Sequence, residues 1–269
     1  RETGLKSRLV LHNHHILMDG WCLPILFTEL FEVYRALAAG QTPHLPPIRP
    51  YRAYIAWLGL QDREMAKVYW QEQLEGFSAP TPLPVARDPE GQASYQELAL
   101  TLEPRQARQL QHFSRRQRLT LNTLIQGAWA ALLSRYSGEN DVVFGVTTSG
   151  RQIPVTGIDR MLGLFINTLP LRVRLEDNDL LSGLHTIQQR QQQNDRYAYT
   201  ALADIQNWSE VPNGISLFHT IVVFENYPVD EKLEDEQQTG SLRLTDFQSI
   251  EYTNYPITLL GIPGEKLHL

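Results

Sequence analysis

His14 and His15 stand side by side in the stretch Leu11-His12-Asn13-His14-His15-Ile16-Leu17-Met18-Asp19-Gly20-Trp21-Cys22, just ahead of an acid and a glycine. The ordinary pKa of imidazole, about 6.5, lets it take and return a proton near neutrality, so a ring held at an element terminus suits acid–base work or the orientation of an attacking group. Asp19 has two readings here, a helix cap or an acid tied to the histidine chemistry. His12 and His14 are spaced i and i+2, as metal ligands can be. No second His or Cys cluster lies near them, however, and the single cysteine, Cys22, is isolated, so no metal site is expected. No serine or cysteine nucleophile with a suitably spaced base is recognisable either.

A strand, a tight turn and a helix must position these groups. Ser7-Arg8-Leu9-Val10-Leu11 has the aliphatic and β-branched bias of a strand entering a core. If the chain stays extended as far as the histidines, Leu9, Leu11, Asn13 and His15 share one face and Val10, His12 and His14 the other, so only one of the paired rings faces a given cavity. Leu23, Leu26, Leu30, Val33 and Leu37 recur at steps of three and four, the apolar face of a helix that Gly40 stops. Pro24 is tolerated only in a first turn, which starts that helix near Trp21 or Cys22 and leaves Asp19 and Gly20 in the turn before it.

The 269 residues carry 24 basic and 30 acidic side chains, a net charge of −6, enough chain for one large or two modest domains. No basic stripe is evident, so nucleic acid is not an expected partner. Hydrophobic runs are too short and interrupted for a membrane span or a signal peptide. One cysteine cannot close an internal disulfide, which fits a reducing, cytoplasmic setting.

Further along, the pattern predicts helices over 51–60 and 62–74, the second capped by Asp62 and stopped by Gly76, with Tyr54, Trp57, Tyr69 and Trp70 packing them. Ser78 to Pro89 holds four prolines and reads as a boundary. Residues 95–102 end in strand-like alternation. Pro104 then opens a basic, glutamine-rich helix whose Arg115, Arg116 and Arg118 read as a solvated face or as a docking patch for an acidic protein. Leu121 to Ser137 reads as a buried central helix, 141–147 as a strand, Leu169, Leu171 and Val173 as another, 180–198 as a helix and 217–224 as β-rich. Residues 230–236 hold five acids and one lysine, a loop signal, and strands are expected near 241–247 and 257–261. The irregular interleaving argues for an α/β (α+β mixed) fold.

His14-His15-Ile16-Leu17-Met18-Asp19-Gly20 resembles the HHxxxDG motif of the condensation domains of non-ribosomal peptide synthetases, within the chloramphenicol-acetyltransferase-like superfamily. Three further stretches resemble that family in order and spacing: Tyr51-Arg52-Ala53-Tyr54-Ile55-Ala56-Trp57, Leu162-Gly163-Leu164-Phe165-Ile166-Asn167-Thr168-Leu169-Pro170-Leu171-Arg172 and Val223-Phe224-Glu225-Asn226-Tyr227-Pro228. The resemblance implies a two-lobed fold with most of the N-terminal lobe missing, residues 1–77 closing that lobe, 78–93 a linker and 94–269 the C-terminal lobe, itself cut at its end. Ala53 stands where the family commonly has Asp, Tyr199 where many members carry His, and Ala201 where they carry Pro.

The resemblance also implies the chemistry: acyl transfer from an upstream carrier-bound thioester to the amine of a downstream carrier-bound aminoacyl thioester. Donor and acceptor carrier proteins would present both substrates on 4'-phosphopantetheine arms, beside a neighbouring adenylation domain, with no cofactor held by the chain itself. His15 would be the catalytic imidazole, as base or as positioner, with His14 beside it. Asp19 would act structurally, paired with Arg172, and the Gly20 backbone or Asn167 would donate to the oxyanion of the tetrahedral intermediate. Two other readings are a non-catalytic module recruiting carrier or tailoring proteins on the same fold, and a stand-alone acyltransferase using soluble thioesters.

Overall fold

The computed structural model describes residues 8–83, 95–175, 179–225 and 253–269. The acidic run at 230–236 and the strand expected near 241–247 lie outside them. The described residues fall into two compact units: 8–59 with 153–166, and 60–83 with 95–152, 167–175, 179–225 and 253–269. This division parts the two helices expected together in one lobe, and it returns the loop 153–166 to the N-terminal segment.

In the first unit, helix α1 (Cys22–Ala38) starts where Pro24 requires and ends in a left-handed Gly40, with φ of 68°. Helix α2 (Arg52–Leu58) and the 153–166 loop build a small core of Tyr54, Ile158, Met161 and Phe165, flanked by Tyr51 and Trp57. The Tyr51 and Tyr54 rings lie 5.1 and 4.8 Å from that of Phe165, tilted or edge-on as aromatic quadrupoles favour. Residues 8–11 form no strand among the described residues, and Leu9, Val10 and Leu11 are more than half exposed. The composition of a strand is there, but no ladder partner lies among the described residues. Leu30, Tyr34 and Leu37 on α1 are likewise exposed, so the apolar stripe that predicts the helix is only partly covered.

The second unit is built on a four-stranded sheet of order β3-β2-β4-β5, with β2 (Asp141–Thr148), β3 (Asn167–Arg174), β4 (Thr220–Phe224) and β5 (Ile257–Gly261). Strands β2 and β3 pair antiparallel; β2–β4 and β4–β5 pair parallel. Pro170 is tolerated because β3 is an edge strand. Val142, Val143, Phe144 and Val146 are buried on both sheet faces, as a continuous apolar run predicts. Gly145 among them leaves room for the Phe218 ring, which a Cβ there would meet at 2.4 Å.

Helices α3 (Arg63–Leu74), α4 (Pro104–Arg116), α5 (Leu121–Ser137), α6 (Leu180–Asp195) and α7 (Leu202–Trp208) surround this sheet. Asp62 caps α3 by accepting the Met65 N–H at 2.9 Å, as its position predicts. Thr120 caps α5 through the Thr123 N–H, and Gly138 ends it in the left-handed region. The strand expected over 95–102 shrinks to β1 (Thr101–Leu102), paired with β6 (Leu267–His268). Helix α6 stops at Asp195, short of the expected 198. Helix α7, which no periodic signal announces, is only seven residues long.

Candidate functional site

The paired histidines sit at a single 3-10 turn, His15–Leu17, not on a strand. His14 caps it: its Nδ1 accepts the Ile16 N–H at 3.1 Å, which requires an unprotonated Nδ1 and fixes the ring against its own turn. His15 is left exposed, and its ring has no hydrogen-bond partner among the described residues. The alternation expected from an extended chain is thus replaced by a division of labour, one ring holding the turn and the other facing outward.

Asp19 is only 3% exposed, and its side chain does not cap α1, whose N-cap is Trp21. Its Oδ2 accepts the Phe165 N–H at 2.8 Å and the Ile166 N–H at 3.2 Å, while its own N–H donates to the Gly163 carbonyl. Cys22, wholly buried, donates its thiol to the Gly163 carbonyl at 3.3 Å and accepts the Gly163 N–H at 3.4 Å. The Tyr51 hydroxyl donates to the Leu164 carbonyl at 2.5 Å. Burial, and then the negative charge of Asp19, hold that hydroxyl above its ordinary pKa of 10.0, so it stays a donor. Burial does the same to Tyr54, pushed up to about 12. The 163–166 backbone is therefore clamped from three sides, a role for Tyr51 that only its place in the motif hinted at. Gly20 opens the turn into α1, its carbonyl accepting the Leu23 N–H.

Arg172 and Asn167 belong to the second unit, and both differ from expectation. The carboxylate that Arg172 meets is Asp141: Nε and Nη2 fork onto its two oxygens at 2.8 and 2.6 Å, while Nη1 reaches the carbonyls of Glu75 (2.7 Å) and Gln73 (3.4 Å). Four of its five N–H donors are so committed, which leaves the expected pairing with Asp19 without a fork to make it. The partner was hard to foresee because it depends on the β2–β3 register, which sets Asp141 opposite Arg174 and one diagonal from Arg172. For Asp141, burial acts to raise the pKa, but the hydrogen bond and charge of Arg172, then those of Arg174, outweigh it and hold the carboxyl below 3.8. The Asn167 amide is also fully used: its Nδ2 donates to the Ala198 and Thr200 carbonyls at 2.9 and 2.7 Å, and its Oδ1 accepts the Thr168 N–H. It fastens the turn after α6 and keeps no proton for an oxyanion. Nearby, Asp195 has its pKa raised by burial, against a 3.5 Å hydrogen bond from Thr148. Among the described residues no group of three or more His, Cys, Asp or Glu is arranged to hold a metal ion, and no helix is long and apolar enough to cross a membrane.

The chain belongs to the condensation-domain family: the family described as "Condensation domain" matches residues 4–269. It is 44% identical over 261 residues to one of the linear gramicidin synthase proteins of Brevibacillus parabrevis, a match covering 95% of this chain and 5% of that much longer protein. Among solved structures, the starter condensation domain of rhizomide synthetase, in complex with C8-CoA and Leu-SNAC, is 26% identical with a TM-score of 0.64, over 80% of this chain and 48% of that one. The X-domain of teicoplanin biosynthesis, in its complex with OxyB, shares the fold with a TM-score of 0.71 at 21% identity, over 95% of this chain and 60% of that one. The chain thus spans a small part of its curated relative and about half of the solved ones. The fold is that of the condensation domains, and the reaction of this family is peptide-bond-forming condensation in non-ribosomal peptide synthesis.

Proposed function

We propose that this chain is the motif-bearing portion of a condensation domain that moves an acyl or peptidyl group from one carrier-bound thioester to the amine of another. The observation that carries the reading is the turn at 14–19: His14 caps it, Asp19 is buried, and the exposed His15 is the imidazole of the pair whose ring makes no hydrogen bond among the described residues. A ring so held suits a reaction whose electrophile arrives already activated.

The amine nitrogen attacks the thioester carbonyl carbon, the C–N bond forms, the C–S bond breaks, and the donor arm leaves as its thiol. His15 accepts the ammonium proton or holds the neutral amine against the carbonyl, and general-base action of this kind is worth roughly 10²–10⁴-fold. The Gly20 backbone N–H is the donor we assign to the oxyanion, since the Asn167 amide is occupied. Asp19 keeps the 163–166 loop in place and touches no substrate. The carriers bring 4'-phosphopantetheine as part of each substrate, and an adenylation domain loads the acceptor.

The test is amide formation by the complete natural polypeptide, with donor and acceptor supplied on carriers and, in a second arm, as soluble thioesters such as C8-CoA and Leu-SNAC. The expected result is product in both arms, far more efficient with carriers. Equal efficiency in the two arms would make the chain a stand-alone acyltransferase. Carrier binding without product would make it a recruiting module.

A further inference from the structure

Between Glu103 and Glu139 the sequence holds six arginines and no acid, although the whole chain has a net charge of −6. Helix α4 carries four of the six: Arg105, Arg108, Arg115 and Arg116, with Arg118 just beyond its end. Arg105, Arg108, His112 and Arg116 follow steps of three and four, so they lie along one side of the helix, and all are exposed. Ala107 and Ser114 are buried on the opposite side. Phe113, 39% exposed, borders the basic side, where Arg105, Arg108, Gln109, His112, Phe113 and Arg116 line a shallow depression of about 380 Å³. None of the five arginines from Arg105 to Arg118 meets a carboxylate among the described residues.

The helix itself does not account for them. Arg115 and Arg116 complement the negative end of the helix dipole, but Arg105 sits in the first turn, at the positive end, where a cation is unfavourable. Cations at steps of three and four also repel one another. Resting on the condensation reading, we propose that the outward face of α4 docks the acidic surface of a carrier protein, with Phe113 as the apolar contact at its edge.

A lipid surface fits less well, because the side of α4 opposite its cations is buried in the unit's own core and only Phe113 remains to insert. A long polyanion fits less well too, since a 13-residue helix offers about 20 Å of basic surface on a chain otherwise rich in acid. A compact acidic protein surface meets the patch without lying over the rest.

The test pairs Arg108→Glu/Arg116→Glu with the exposed control Arg135→Glu in the complete polypeptide. Titration with a purified apo carrier domain reads docking without catalysis, and steady-state condensation reads KM and kcat with carrier-bound and with soluble thioesters. The double variant is expected to weaken apo-carrier binding and raise the carrier KM about tenfold or more, with kcat and soluble-thioester kinetics within about twofold. Arg135→Glu should change neither. Raising salt from about 0.1 to about 1 M, which shortens the screening length from about 10 to about 3 Å, should weaken wild-type docking and leave the double variant little changed. Unaltered carrier binding in the double variant overturns the assignment, as does equal loss with soluble thioesters, or displacement of the carrier from this face by duplex RNA or phosphatidylglycerol vesicles. Absence of amide product from the wild type while charge-dependent docking persists would instead sink the condensation reading and leave the patch standing.

Discussion

Asp19 and Phe165 are joined by a 2.8 Å hydrogen bond across 146 residues of chain, a buried carboxylate accepting a backbone N–H. With the second bond to Ile166, it ties the paired-histidine turn to the loop that completes the first unit. Hydrogen bonds to a charged group contribute about 1.5–3 kcal/mol each, so Asp19→Ala should lower stability by about 3 kcal/mol and reduce folded yield, while Asp19→Asn, which keeps an acceptor oxygen, should lose less. Urea unfolding of the complete domain measures both. An Asp19→Ala variant with an unchanged midpoint and no turnover would move Asp19 from scaffold to chemistry.

Gly163 gives the complementary prediction from packing. A Cβ there would lie 2.1 Å from Cδ2 of Tyr51, whose ring is hemmed in by Tyr54 and Phe165 and whose hydroxyl is anchored on Leu164. Gly163→Ala should therefore destabilise by about 1–3 kcal/mol through overpacking. Gly183, inside α6 with nothing within 4 Å of an added Cβ, should respond in the opposite sense, Gly183→Ala raising stability by about 0.5–1 kcal/mol. Thermal melts of the two variants, side by side, check the sign of each.

Two acids should act oppositely on stability as pH changes. The pKa of Asp141 lies below its ordinary 3.8 in the fold, so its pairing with Arg172 and Arg174 stabilises fully above that value, and the contribution is lost as pH falls through the lowered folded value. Asp195 is raised by burial, so its contribution is intact below 3.8 and is lost as pH rises through the raised folded value. Asp141→Asn should flatten the acid limb of a stability-against-pH curve, and Asp195→Asn should recover stability at neutral pH while leaving the acid limb unchanged. Arg172→Met, which takes the fork from a part-exposed Asp141 that keeps Arg174 beside it, should cost about 1.5–3 kcal/mol at neutral pH, read by chemical denaturation.

Local signals carried far in this chain. Pro24 marked the start of α1, Asp62 the cap of α3, and Pro104 the opening of α4, because each imposes a rule on its own few residues. The pairing of strands was not legible: Thr101–Leu102 joins Leu267–His268, and the intervening chain gives no local hint of that partner. For the same reason residues 8–11 carry strand composition without pairing as a strand among the described residues, since ladder formation needs a neighbour that composition does not name.

The site divides along the same line. That His14, His15 and Asp19 belong to one motif is written in seven consecutive residues, but the target of Asp19 is a backbone N–H, and any residue type at 165 other than proline supplies one. Arg172 and Asn167 were identifiable as polar groups of a motif, yet their partners are Asp141 and the carbonyls of Ala198 and Thr200. Those choices follow from register and turn geometry, which spacing along the chain does not encode.

The two histidines should separate cleanly in experiment. His15→Ala removes the exposed imidazole and no internal hydrogen bond among the described residues, so it should leave the melting temperature unchanged and lower kcat about 10²–10⁴-fold with both carrier-bound and soluble thioesters. His14→Ala removes the acceptor of the Ile16 N–H, which should cost about 0.5–2 kcal/mol, as loss of a side-chain cap does. His14→Asn restores a short acceptor at the cap position and should recover most of that stability. If the cap alone matters at 14, turnover by His14→Asn follows its folded fraction. Turnover that stays low in a fully folded His14→Asn variant would show that the first ring also reaches the reacting groups, and near-normal product from His15→Ala would remove the imidazole from the reaction altogether.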